Sequence, residues 1–302
     1  MSKPKRTDGQ IRNALKKEAR EQGIAPNDTY NRFFRELFLA DLMNRDDGWI
    51  LKGGTNLYCR IPGARHTRDL DLYRQHDPTA YLQAAADLIE TMHGATIGPY
   101  RFTVTAPEHE TVNGTIDSIN LTVEVFHGVS PILVFGIDVS GDLRVPEVTD
   151  TVTVERSDQV ELEFMDRDYI IRSYPIENQV ADKVSAMYEL HGHRRQASTR
   201  YRDLYDIALI AVELEIDATR LADALRIQAQ IRGLILPREL YLPNAKWVEG
   251  YTKLTRTMPQ PREEIIDVDD ALRIAGALTD PVLLSLEDTV AGTWSPRTGH
   301  WI

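Results

Sequence analysis

Cysteine is nearly missing from this 302-residue chain, where Cys59 stands alone. An intramolecular disulfide is therefore excluded, and so is a zinc site built on several thiolates. No apolar run approaches the roughly 18 residues of a membrane span. The basic stretch at residues 1–20 lacks the apolar segment of a signal peptide, so the Asn113-Gly-Thr and Asn120-Leu-Thr sequons read as chance. The expectation is a soluble, cytoplasmic protein with no membrane partner. Positive charge is scarce too: 35 Lys and Arg against 46 Asp and Glu leave a formal charge of −11. That balance argues against a general nucleic-acid coat or a polybasic membrane binder, but not against one local basic groove. Internal repeats and low-complexity tracts are absent. What is present is ordinary for a globular protein, with 42% hydrophobic and 27% charged residues and a mean hydropathy of −0.35. The length suits two domains.

The periodicity changes near residue 175. Before it, apolar positions Tyr30, Phe33, Phe34, Leu37, Phe38 and Leu42 predict an amphipathic helix over 29–43, capped by Asn27 or Asp28. Trp49-Ile50-Leu51 reads as a strand entering the turn Gly53-Gly54-Thr55, with Thr55 able to cap a following helix. A strand over 68–73, a helix over 78–92 and strands near 100–105, 117–126, 132–139 and 160–164 follow. After Tyr174-Pro175 the 3.6-residue period dominates, over 176–192, 199–214, 217–232, 267–278 and 280–291. The prediction is a mixed α/β (α+β) domain over 1–175 and a mainly helical one over 176–302.

The chemistry concentrates in a few places. In a strand, Asp69 and Asp71 project from one face while Leu70 and Leu72 fill the other. Neighbouring like charges repel unless solvated or bridged by a cation, and hard divalent ions take carboxylates together with substrate phosphates. Asp138 is the single charge in Ile132–Val139; it reads either as a metal ligand or as a strand-end acid bonded to backbone amides. Gly53 and Gly54 before a helix could admit a phosphate to backbone N–H groups, or simply make a turn, with Lys52 beside them. Lys183 falls within the apolar stripe Ile176, Val180, Met187 and Leu190, so it either meets an anion or snorkels to solvent. Asp203 shares a face with Ile207, Ile210 and Leu214, with Asp206 at its edge, and could pair with Lys183 structurally or hold a ligand jointly with it. Between them, 191–202 carries Arg194, Arg195, Arg200 and Arg202 and no acid. This basic strip is a solvated loop or a landing site for phosphates; its His191-x-His193 is a weak zinc motif. The seven basic residues of 1–20 fit a solvated helix face or a nucleic-acid contact.

Taken in order, Gly-Gly-Thr, Arg-Asp-Leu-Asp, a strand Asp, Ala-Asp-Lys and Arg-x-Arg-Asp-Leu-Tyr-Asp resemble the AbiEii-type nucleotidyltransferases. These are the toxins of AbiE abortive-infection (phage-defence) and MenT-type toxin–antitoxin systems, and the resemblance spans about residues 30–215. It implies a DNA-polymerase-β-like nucleotidyltransferase core with a C-terminal mainly helical lobe. It implies Mg²⁺ (or Mn²⁺) on Asp69, Asp71 and Asp138, and Lys183 and Asp203 as further catalytic residues. Gly53, Gly54, Thr55, Thr67, Arg68, Lys183 and Arg200 would bind the NTP, and Arg194, Arg195 and Arg202 the RNA. The implied reaction moves a nucleoside monophosphate from an NTP to the 3′ end of tRNA, blocking translation, under restraint by a cognate antitoxin. Two other readings use the same residues: a small-molecule nucleotidyltransferase of the antibiotic-adenylylating type, for which the basic strip is unnecessary, and a non-catalytic binding module of a defence complex.

Overall fold

The computed structural model describes residues 5–65, 67, 69–74, 80–107, 118–141, 148–191, 196–258, 260–286, 288 and 291–302. It separates into two compact units, Met1–Tyr174 and Pro175–Ile302, and the fold is mixed α/β.

In the first unit, α1 (Asp8–Gln22) begins with a capping box in which Thr7 and Gln10 satisfy each other's backbone N–H. Its basic residues Lys16, Lys17 and Arg20 are exposed while Ile11, Leu15 and Ala19 are buried, as a solvated helix face requires. Helix α2 (Pro26–Arg45) starts earlier than its apolar period suggests. Pro26 takes the first helical position, where a missing N–H costs nothing, and Ala25 rather than Asn27 or Asp28 is the N-cap. Then come β1 (Trp49–Lys52), α3 (Gly53–Arg60), β2 (Asp69–Arg74), α4 (Tyr81–Met92), β3 (Thr96–Ile97), β4 (Tyr100–Thr105), β5 (Ser118–His127), β6 (Ser130–Ser140), β7 (Asp150–Glu155) and β8 (Asp168–Ser173).

The eight strands form one mixed sheet in the order β3-β4-β5-β6-β2-β1-β8-β7. Strand β2 runs parallel to β6 and antiparallel to β1, and β1 runs parallel to β8. One face carries the main core: Leu51, Leu70, Leu72, Ile137 and Val139 pack with Phe33, Phe34, Phe38 and Leu88. The strand expected at 160–164 is reduced to a single bridge between Leu162 and Met165. Its approach is held by side chains instead. Glu36 accepts from Ser157 N–H (3.1 Å), Glu18 from Gln159 N–H (3.0 Å) and Asp158 from Val160 N–H (2.8 Å). Local carboxylates thus take donors that a strand would give to its neighbour.

The second unit contains α5 (Ile176–Tyr188), β9 (Leu190–His191), β10 (Gln196–Ala197), α6 (Tyr201–Glu213), β11 (Ile216–Asp217), α7 (Ala218–Arg232), α8 (Lys246–Thr257), a 3₁₀ turn (Glu263–Ile265), α9 (Val268–Leu284), β12 (Thr293–Ser295) and β13 (His300–Trp301). Helix α9 joins what the sequence suggests are two helices, because Pro281 lies inside it. The proline removes one backbone bond, while the buried face Ala271, Ala275, Leu278 and Val282 carries the helix past it. The C-terminal β12–β13 hairpin pairs with β11. Its two indoles anchor it, Trp294 Nε1–H donating to Ala211 O (2.7 Å) and Trp301 Nε1–H to Leu278 O (3.1 Å). Among the described residues, no helix is long and apolar enough to cross a membrane.

Candidate active site

In the first unit the acids stand side by side on two neighbouring strands, β2 and β6, within a polar row that runs across four. Lys52 pairs in register with Asp71, Asp71 with Asp138, and Asp138 with Asn120. Asp69, two residues from Asp71 and so on the same face, sits beside Gly136. Adjacent strands lie about 4.8 Å apart, so Asp71 and Asp138 are near neighbours of like charge. Backbone without side chains makes room for them. A Cβ on Gly136 would stand 2.6 Å from Asp69 Oδ1, and one on Gly53 would stand 2.0 Å from Asp71 Oδ2. Gly53 also has φ of 69°, a left-handed conformation that favours glycine, so the turn out of β1 and the fit of Asp71 both depend on it.

Asp138 is not the amide-bonded strand end that its sequence context allows. It accepts a hydrogen bond from the Ser118 side chain, while its buried Oδ1 has no hydrogen-bond partner among the described residues. Burial pushes its carboxyl above the usual carboxylate range, Asp69 adds to that, and Ser118 and Lys52 pull the other way. An all-oxygen donor set with a buried, unpartnered carboxylate oxygen fits a hard divalent cation. Among the described residues no group of three or more His, Cys, Asp or Glu is placed so that it could hold a metal ion. The acids stand in a row, so the fit is to an ion that takes part of its shell from substrate and water, as Mg²⁺ does.

Thr55 does not cap α3, for which Lys52 is the N-cap. It lies within the first turn, and its hydroxyl stands 2.7 Å from the Thr67 hydroxyl and donates to Asp69 O (3.1 Å). Gly54 permits that approach: a Cβ there would stand 2.1 Å from Thr67 Cγ2. The far end of α3 is tied down equally well. Asn56 donates to Tyr174 O (3.0 Å), and Arg60 pairs with Asp150 (2.6 Å) while also bonding Ser173 Oγ. The N-terminus of α3 is thus a fixed set of N–H donors next to the acid row.

Sequence reasoning missed a group of charged residues on the core side of this turn. Arg32, Arg35 and Glu36 of α2 line a cavity with Thr55, Tyr58 and Thr67. The one available signal was that Arg35 and Glu36 interrupt the stripe Phe33, Phe34, Leu37 and Phe38. Arg32 donates to Tyr58 Oη (2.9 Å), and Arg35 donates to Asn31 O (3.1 Å) and to Thr67 O. Burial pushes Glu36 up to about 7 and Asp158 adds to this, against the hydrogen bonds from Ser157. Burial also raises the Cys59 thiol to about 12, so it is a poor nucleophile at neutral pH.

In the second unit, Lys183 is buried and committed to acids rather than snorkelling. Its Nζ lies 3.0 Å from Asp203 Oδ1 and 2.7 Å from Asp206 Oδ2. Asp206, placed by periodicity at the helix edge, is fully buried and makes the shorter contact. Arg200, at the N-cap of α6, reaches the other oxygen of Asp203 at 2.5 Å. Arg202 is exposed on the first turn of α6. Arg68, Arg194 and Arg195 lie outside the described residues, as does the His193 side of the His-x-His motif.

Comparison with known proteins places these features in a family. Among solved structures, the chain resembles MenT4, the nucleotidyltransferase toxin Rv2826c from Mycobacterium tuberculosis H37Rv, with a TM-score of 0.51 and 16% identity over 93% of this chain and 90% of that one. A putative nucleotidyltransferase from H. pylori aligns at a TM-score of 0.46 and 15% identity, over 87% of this chain and 98% of that one. JHP933 from Helicobacter pylori aligns at 0.44 and 15%, over 87% and 94%. The likeness to MenT4 concerns the fold alone, and no curated protein matches by sequence. The family model described as "Nucleotidyl transferase AbiEii toxin, Type IV TA system" matches residues 37–274, more than three quarters of the chain. That span includes the acid row, the glycine turn and the lysine cluster, and the chain belongs to the AbiEii nucleotidyltransferase toxin family.

Proposed function

We propose that the protein transfers a nucleoside monophosphate from an NTP to the 3′ acceptor end of tRNA, halting translation in the cytoplasm until a cognate antitoxin restrains it. The core is read as DNA-polymerase-β-like over 1–175, with a helical lobe over 176–302. The observation that carries the reading is the row Asp71–Asp138 with Asp69 one step along, backed by the glycine turn at the N-terminus of α3. A Mg²⁺ or Mn²⁺ ion held by Asp69, Asp71 and Asp138 would supply charge neutralisation for the triphosphate. The N–H groups of Gly54 and Thr55 cradle phosphate, and Thr67 and Arg68 flank that cradle. Asp138 helps take the proton from the tRNA 3′-hydroxyl. That oxygen bonds to the α-phosphorus, the bond to the β-phosphate bridging oxygen breaks, and pyrophosphate leaves. Lys183 is a cation for phosphate whose direction is fixed by Asp203, and Arg200, Arg194, Arg195 and Arg202 contact nucleotide or RNA phosphates.

The test incubates the protein with Mg²⁺, total tRNA and each α-labelled NTP in turn, with Asp69→Ala as control. Label on tRNA from at least one NTP, absent in the variant, is the expected result. Transfer to small molecules only would overturn the tRNA reading, and transfer undiminished in Asp69→Ala would overturn the assignment of the acid row.

A further inference from the structure

We infer that Arg35 is a positioning residue for the acid row, fixing the segment Thr67–Asp69 against the first turn of α3. The inference rests on the reading that Asp69 serves transfer chemistry. Arg35 sits in the core-facing stripe of α2 and is only 7% exposed. A buried guanidinium is costly and ordinarily lies against a carboxylate. Among the described residues no carboxylate lies within ion-pair distance of Arg35, and its neighbour Glu36 is turned to Ser157 instead. Its fork spans two carbonyls: that of Asn31 in its own helix and that of Thr67.

From Thr67 the connection continues. The Thr67 hydroxyl meets the Thr55 hydroxyl at 2.7 Å, and the Thr55 hydroxyl donates on to Asp69 O at 3.1 Å. One rigid helix is thereby joined through a guanidinium, a carbonyl and two hydroxyls to the backbone of the acid. The positive charge of Arg35 also acts on Asp69 more strongly than on any other acid near it. A lysine would keep the charge but, as a point donor, could not hold the two carbonyls in the same plane.

The test compares full-length wild type with Arg35→Gln and Arg35→Lys by hydrogen exchange and transfer kinetics, each at a temperature where circular dichroism shows it folded. In Arg35→Gln, amide exchange in the peptide carrying Thr67 and Asp69 is expected to speed about tenfold while peptides of β4 and β5 stay unchanged. The kcat is expected to fall about 100-fold with KM for NTP within about threefold, since misplacement costs rate more than binding. Arg35→Lys should fall between. Unchanged exchange in the Thr67–Asp69 peptide would overturn the inference, and so would exchange that quickens equally throughout the unit, which marks mere support of the fold. If wild type labels no acceptor, the functional reading fails while the exchange comparison still decides the role of Arg35. Should Arg35→Gln not fold, Arg35→Lys carries the same comparison.

Discussion

The two units solve the problem of neighbouring acids in opposite ways. In the second, Asp203 and Asp206 are buried and share Lys183, with Arg200 closing the set, so two negative and two positive charges cancel within hydrogen-bond distance. In the first, Asp71 and Asp138 stand side by side in register, Asp69 is exposed next to them, and Asp138 keeps a buried oxygen without a partner among the described residues. The buried cluster is electrostatically complete by itself. Asp138 in the strand row is not matched in that way among the described residues, and the sheet face behind it is packed. Pairing on both sides holds Lys183 and Asp203 in fixed directions, as a cation proposed for phosphate requires, whereas an unmatched acid oxygen suits a site that must receive a cation.

Removing one charge from each set should therefore act on different quantities. Lys183→Met leaves two buried carboxylates facing each other, and urea unfolding should show a loss of about 3–5 kcal/mol. Asp138→Asn removes a desolvated charge whose second oxygen is already unpartnered, so its unfolding free energy should move by less than about 1 kcal/mol. Its transfer rate, in contrast, should fall roughly a thousandfold, the several kcal/mol that a metal's charge contributes to the reaction. A large stability loss in Asp138→Asn would break the contrast, because it would make that acid part of the fold's own support.

Glu36 tests an intermediate case, a buried acid with hydrogen bonds from Ser157 but no lysine. Its carboxyl is held near 7 by burial, against 4.5 for an ordinary glutamate. The native state therefore keeps this proton between those values while the unfolded chain has lost it. The contribution is fully present below pH 4.5 and is lost as pH rises through about 7, amounting to about 3 kcal/mol. Unfolding measured at pH 5 and pH 8 should show this decline in wild type. Glu36→Gln should flatten it, and a profile unchanged by that substitution would assign the pH dependence elsewhere.

Much of this arrangement is legible in the sequence because strand and helix periods report which side chains share a face. Asp69 and Asp71 follow from alternation, Lys183 and Asp203 from positions three and four apart, and the glycine turn from its place between strand and helix. Arg35 and Glu36 were hidden because a 3.6-residue pattern cannot distinguish a charge at the stripe's margin from one sealed beneath it. Strands β7 and β8 escaped because Ile170, beside the buried Ile171, is 57% exposed and blurs the alternation. The C-terminal hairpin depends on indole N–H groups meeting helix carbonyls far away in sequence, which no local pattern announces.

The smallest effect sharpens the comparison most finely, because it concerns a single acid with two partners. Asp203 binds Lys183 at 3.0 Å inside the unit and Arg200 at 2.5 Å, yet the Arg200 side chain is 56% exposed. Distance alone would make the arginine the stronger partner. Solvent around the guanidinium screens the attraction, and holding a long side chain costs entropy, so the contact should contribute less than about 1 kcal/mol. Arg200→Gln should accordingly lower the unfolding free energy by a small fraction of the Lys183→Met loss, and that small loss should shrink further in about 1 M salt. A loss comparable to that of Lys183→Met would mean that burial of the acid, rather than of its partner, decides what an ion pair contributes.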